Sequence, residues 1–337
     1  MKDLAREIFE KNPNANLLFD KLKNSGESEN ILVHGLSGSS KAFLFSSLFL
    51  REKQLSCLIF PDKETASYFF DDLINILGDE YVLFFPSAYK RSVEYLKTDR
   101  TNIILKTEVL NKLRTGKKPY IIVSYPGAII EKVVDNKDLK NNTLDVNIGE
   151  KLSMDFITDV LNEYGFRHEE FVYEPGTFSI RGSIIDVFSF SNDEPYRIDF
   201  FGDEVETIRS FDPNTQLSRD RHKKISIVPN IHEHLVNEHK VSFFDFINKN
   251  CKIWLEQPEM IIDKFQKTWD AANIRFSETI SQDEDDEICI VNPETGLLSP
   301  DEFADEIKKF QIIELAHRSV YNSQQEIVFD IAPQPAF

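Results

Sequence analysis

Apolar residues in the first part of the chain fall in short unbroken runs, separated by stretches with helical spacing. Ile31-Leu32-Val33-His34 ends in a Gly/Ser loop, Ser56-Cys57-Leu58-Ile59-Phe60 stops at Pro61, Tyr81-Val82-Leu83-Phe84-Phe85 stops at Pro86, and Tyr120-Ile121-Ile122-Val123-Ser124 is a fourth run. Between them, Ala66, Phe69, Phe70, Leu73, Ile76 and Leu77 recur near the 3.6 period behind Asp62, a good N-cap. A second helix is expected over Ile103–Leu113, ending near Gly116. Continuous apolar strands alternating with amphipathic helices predict a parallel sheet covered on both faces.

The pattern changes after residue 150. A helix is expected behind Ser153, with Met154, Ile157, Val160 and Leu161 on one face. Short strands and turns follow: Phe171–Glu174, then the Pro175-Gly176 turn, Ile184–Phe188, the polar loop Ser191–Pro195, Tyr196–Phe201, the Gly202-Asp203 turn and Glu204–Phe211. Strands this close need no crossover helix, so they predict an antiparallel meander. Alternation returns later: helix Val241–Asn248, strand Lys252–Leu255, helix Glu259–Ala272, strand Ile288-Cys289-Ile290-Val291 and a strand-like Ile327–Phe329 before Pro333–Phe337. The expected organisation is an α/β domain over 1–135, an α+β insertion over 136–232 and a second α/β subdomain over 233–337. Residues 1–25 are expected to pack with the last of these.

Composition narrows the function classes. The net charge of −18 argues against a surface devoted to phosphate binding. No apolar run reaches membrane-spanning length. Three scattered cysteines, Cys57, Cys251 and Cys289, suit a reducing cytoplasm and build no disulfide framework or zinc site. The acidic run Asp283–Glu287 suits a solvated loop. His232-Glu233-His234 with His239 is the nearest approach to a metal cluster, and its polar setting suits a linker better.

Candidate chemistry concentrates in two places. Gly35-Leu36-Ser37-Gly38-Ser39-Ser40-Lys41-Ala42 follows the first strand where a phosphate loop, G-x-x-x-x-G-K-[ST], would stand. Gly35 and Lys41 match, but Ser40 replaces the second glycine and Ala42 lacks the hydroxyl that holds Mg²⁺. Either the loop is vestigial or it retains nucleotide binding without hydrolysis. The second place is the β stretch, with Arg167, Arg181, Arg197 and Arg209. Alternation places Arg181, Ser183, Ile185 and Val187 on one face, with Ile184, Asp186 and Phe188 on the other. Asp186 and Asp199 sit in apolar strands, where a carboxylate needs a partner, and the arginines make structural ion pairs the expected account. A guanidinium on a rigid strand also suits bidentate capture of a partner's carboxylate.

Glu174-Pro175-Gly176-Thr177-Phe178-Ser179-Ile180-Arg181-Gly182-Ser183-Ile184-Ile185-Asp186-Val187-Phe188, then Pro195-Tyr196-Arg197-Ile198-Asp199-Phe200-Phe201-Gly202-Asp203-Glu204, then Ile208–Asp212 and Thr215-Gln216 closely resemble the module shared by bacterial transcription-repair coupling factors (Mfd) and the excision-repair helicase UvrB. The broken phosphate loop extends the likeness toward the N-terminus and favours the coupling-factor branch, because UvrB keeps that loop intact. UvrB also carries a Tyr-rich DNA-binding hairpin, where this chain has only Ser87–Asp99 with Tyr89 and Tyr95. The resemblance implies a degenerate RecA-like, P-loop-NTPase-like core with an inserted, mostly antiparallel β domain. It implies a non-catalytic, cofactor-free, monomeric module that recruits UvrA, while RNA polymerase and DNA engage other parts of the full-length translocase. Arg167 and Arg181 match the UvrA-contacting arginines, and Phe188 is a weaker candidate. Ser179 stands where UvrB has a further arginine. The alternative is a residual nucleotide-binding or DNA-translocating ATPase domain.

Overall fold

The computed structural model describes residues 2–23, 29–89, 99–116, 118–230, 239–280 and 291–331. Two compact units emerge. One comprises Met1–Thr98, Thr115–Val133 and Ser242–Phe337, and the other Asp99–Arg114 and Val134–Val241.

The first unit is built on a seven-stranded, all-parallel sheet. Its order is Gln325–Val328, Ile31–His34, Gln311–Leu315, Lys252–Glu256, Ser56–Ile59, Ile121–Ser124, Val82–Phe84. The four apolar runs of the N-terminal stretch are all strands, and six of the seven strands are buried along their length or nearly so. Two distant strands, Lys252–Glu256 and Gln311–Leu315, insert between Ile31–His34 and Ser56–Ile59. Lys63–Leu77 is the helix expected behind Asp62, whose carboxylate accepts from the Thr65 amide at 2.8 Å. Such a cap is worth about 1 kcal/mol. Pro300–Ile307 opens with a reciprocal capping box between Ser299 and Glu302. The helix expected over Val241–Asn248 does not form. A 3₁₀ turn, Phe243–Phe246, stands there, and it buries the adjacent rings of Phe243 and Phe244 together.

The second unit carries a six-stranded sheet in chain order: Arg167–His168, Thr177–Arg181, Ile184–Phe188, Tyr196–Phe201, Glu204–Phe211, Ser218–His222. All pairs are antiparallel except the short first one. Gly182 and Gly202 both have φ of 62° at the first central position of two-residue turns, which a side chain would strain. One sheet face packs Phe178, Ile185, Val187, Ile198 and Ile208 against Ile157 and Leu161 of the helix Met154–Glu163. Ser153 caps that helix by accepting from the Phe156 amide at 3.2 Å. Leu144–Asn147 and Lys224–Ile227 form a separate antiparallel ladder. Phe171–Glu174 is irregular and not the strand its composition suggested, because Val172 turns into a small core with Phe188 and Phe211. The architecture is therefore an α/β, RecA-like parallel sheet plus a mostly antiparallel β unit.

His232-Glu233-His234, Tyr95, Asp283–Glu287, most of Ile288–Val291 including Cys289, and Pro333–Phe337 lie outside the described residues. Among the described residues no helix is long and apolar enough to cross a membrane. No group of three or more His, Cys, Asp or Glu is placed to hold a metal there either.

Candidate functional site

The phosphate-loop segment is bonded to residues 329–331 and to Glu256. Gly35 has φ of 80°, and a Cβ there would lie 1.7 Å from the Phe329 carbonyl oxygen. The glycine is thus required by a neighbouring segment of backbone. The Phe329 amide donates to the His34 carbonyl at 2.8 Å and the Ile331 amide to that of Gly35 at 3.2 Å, so residues 329–331 run alongside the loop. The Ser37 hydroxyl donates to the Ile331 carbonyl at 3.0 Å, and the Ser40 hydroxyl donates to the Ser37 carbonyl at 2.6 Å while accepting from its amide. Lys41 Nζ donates to the nearly buried Glu256 carboxylate, which neutralises the charge that would face a phosphate. Ala42 is fully buried and Gly38 has φ of 55°. A cavity of about 530 Å³ lies beside the loop, lined by Leu36, Lys41, Pro258, Met260 and Arg318 among others. The buried thiols are no nucleophiles. Burial pushes Cys57 up to about 12 and Cys251 well above the ordinary thiol value.

The arginines gather on the other face of the six-stranded sheet. Strand alternation read straight through residues 181–187 grouped Arg181 with Ile185 and Val187. The structure corrects this. Gly182 and Ser183 form the hairpin turn, so the chain reverses and Arg181 pairs directly with Ile184. Arg181 therefore shares its face with Asp186 and Phe188, while Ile185 and Val187 point into the core.

Asp186 is the centre of this face and has no solvent exposure. Arg197 holds it with two bonds, Nε to Oδ1 at 2.7 Å and an Nη to Oδ2 at 2.8 Å. Arg181 donates to the same Oδ2. Hydrogen bonding to Asp186 raises Arg197 above the ordinary guanidinium value, so it is charged at any working pH. The Arg197 side chain is only 15% exposed and lies 4.6 Å over the Phe211 ring, whereas that of Arg181 is 39% exposed. The exposed Phe171 ring packs against the Arg181 guanidinium at 5.2 Å. The Arg181 fork is thus fixed from below by a carboxylate and from one side by a ring, with its outer edge accessible.

Arg167 lies on the adjoining strand, 52% exposed, and pairs with Glu174. Asp199 accepts from Arg209 and from the Thr207 hydroxyl, each at 2.6 Å. The expectation of structural ion pairs for Asp186 and Asp199 holds for both carboxylates. Ser179 is buried, and its hydroxyl donates to the Glu170 carbonyl at 3.0 Å. Phe188 is 5% exposed in the cluster with Val172 and Phe211, so it supports the face from inside the core. Phe171, Glu174 and Glu256 were not singled out by the sequence. Only an aromatic or a carboxylate near an arginine or lysine hinted at them, and their pairing is tertiary.

Residues 144–232 match the sequence model of the family described as the UvrB interaction domain. Similar proteins include the transcription-repair-coupling factor of Bacillus subtilis (strain 168), 31% identical over 199 residues that cover 59% of this chain and 17% of that protein. The same-named protein of Staphylococcus epidermidis (strain RP62A) is 29% identical over 234 residues, 67% of this chain and 20% of its own length. That of Escherichia coli (strain K12) is 26% identical over 248 residues, 74% and 21%. The matched stretch thus spans about a fifth of each of these relatives.

Proposed function

We propose that this chain is a non-catalytic module of transcription-coupled nucleotide excision repair that recruits UvrA through Arg181 and Arg167. The observation that carries the reading is the Arg181 guanidinium, held on the buried Asp186 and open at its outer edge, inside the segment matched to the UvrB interaction domain. Residues 136–232 act as the docking insertion between α/β stretches 1–135 and 233–337. RNA polymerase and DNA are engaged by other parts of a longer protein. A planar fork on a stiff sheet loses little entropy on binding, which suits it to a carboxylate on the partner.

Isothermal titration of UvrA into the chain tests this. Arg181→Ala is expected to weaken binding by about 2 kcal/mol, roughly 30-fold, as truncation of an interface hot spot does. Arg167→Ala is expected to cost less, because its exposed pair with Glu174 leaves it loosely placed. Unchanged affinity in both variants removes the assignment.

The cavity beside Lys41 favours a second reading, residual nucleotide binding. With Lys41 tied to Glu256 and no hydroxyl at Ala42, ATP turnover is expected at the buffer background in wild type and in Lys41→Ala alike. Hydrolysis that disappears in Lys41→Ala would restore the enzymatic reading.

A further inference from the structure

The far half of the same sheet face holds a charge arrangement that Arg167 and Arg181 do not use. Arg197, Arg209 and Arg221 stand directly opposite one another on three successive strands. Like charges so placed, with Cβ atoms about 5 Å apart, destabilise an antiparallel pair. Asp186 offsets Arg197, and Asp199 takes one nitrogen of Arg209. The buried Nε of Arg209 has no partner, and the exposed Arg221 has no carboxylate within ion-pair distance among the described residues. Arg181, Arg197 and Arg209 therefore share two carboxylates, and Arg221 has none among the described residues. The unbalanced charge sits on Ser218–His222, the last strand of the sheet, in a chain of net −18.

We propose that Arg221, backed by Arg209, receives an acidic side chain of the partner, so that the docking surface runs from Arg181 across the sheet to its outer strand. This rests on the UvrA reading above and adds the chemistry of a second contact. The exposed Arg221 guanidinium offers a two-nitrogen fork to a carboxylate, and the partly exposed Arg209 on the neighbouring strand adds positive charge beside it. A continuous phosphate backbone fits less well, because Glu204, Glu206 and Asp220 are exposed on the same two strands. Arg219, two residues from Arg221, is already shared by Glu194 and Asp212 and serves as the internal control.

The test titrates purified UvrA, and in parallel a DNA duplex, against wild type, Arg221→Glu, Arg221→Lys, Arg219→Ala and Arg181→Ala. Arg221→Glu is expected to weaken UvrA binding about tenfold or more and to flatten its salt dependence, with Arg221→Lys intermediate and Arg219→Ala near wild type. The thermal midpoint of Arg221→Glu should stay at or above the wild-type value, since the substitution relieves a repulsion. Wild-type UvrA affinity in Arg221→Glu alongside a weakened Arg181→Ala overturns this inference and leaves the UvrA reading standing. Wild-type affinity in both, or no binding by wild type, overturns the two together. Duplex binding that Arg221→Glu abolishes while UvrA binding is spared overturns it in favour of nucleic acid.

Discussion

Asp186→Ala is expected to destabilise the second unit by about 3 kcal/mol, toward the lower end of what breaking a buried ion pair costs. Asp186 has no solvent exposure and receives three guanidinium bonds, two from Arg197 and one from Arg181. Its removal leaves Arg197, largely buried over Phe211, without a counter-charge. Arg181 can swing to solvent, so most of the loss arises at Arg197. The measurement is urea unfolding followed by far-UV circular dichroism, with amide exchange of Ile185, Val187 and Ile198 locating the change. A double variant, Asp186→Ala with Arg197→Met, should recover part of the loss because the orphaned charge is gone. Unfolding of Asp186→Ala at the wild-type urea concentration would refute the account. UvrA binding should fall in the same variant even under conditions where it is fully folded, since Arg181 loses the anchor that orients its fork.

Glu314→Ala is expected to cost a similar amount, on the order of 3 kcal/mol, in the first unit. Glu314 lies in the strand Gln311–Leu315, fully buried, and its carboxylate collects four donors from the following loop. The Val320 amide donates at 2.6 Å, the Tyr321 amide at 3.2 Å and the Ser323 hydroxyl at 2.6 Å, with the Ser319 hydroxyl completing the set. Burial and the neighbouring Glu314 charge push the Tyr321 phenol up to about 12, so it stays neutral beside the carboxylate. Without Glu314, those donors lose their acceptor and the loop that leads into Gln325–Val328 loses its anchor. Tryptophan fluorescence reads this well: Trp254 sits on the adjacent strand, paired with Ile313. Glu314→Gln keeps the volume but turns one acceptor oxygen into a donor, and it should fall between wild type and Glu314→Ala. A wild-type fluorescence midpoint in Glu314→Ala would show that the carboxylate is not what holds the loop.

Much of this was legible in the order of residues because it depends on local rules. The runs at Ile31, Ser56, Val82 and Ile121 are strands because unbroken apolar segments bounded by Pro or Gly bury on both faces of a parallel sheet. Asp62 and Ser153 cap helices because a short oxygen-bearing side chain there satisfies a free amide. The meander from Thr177 to Phe211 follows from strands too close for crossovers. The strand Gln311–Leu315 was missed although the capping box at Ser299 and Glu302 marks the helix before it. The helix expected at Val241 failed because two adjacent buried phenylalanines override an approximate period.

Sequence by itself determined the four apolar strands of the N-terminal stretch, the capped helices behind Asp62 and Ser153, the meander from Thr177 to Phe211, where the phosphate loop departs from its pattern, and that Asp186 and Asp199 need cationic partners, all of which follow from neighbours within a few positions. Tertiary structure alone decided that Lys252–Glu256 and Gln311–Leu315 fill the middle of the parallel sheet, that Lys41 meets Glu256, and that the Gly182 turn brings Arg181 onto the face of Asp186. The physical reason is that strand order, register and the sense of a turn are set by packing between segments far apart in the chain, and a two-residue reversal moves a side chain to the opposite face from the one simple alternation assigns.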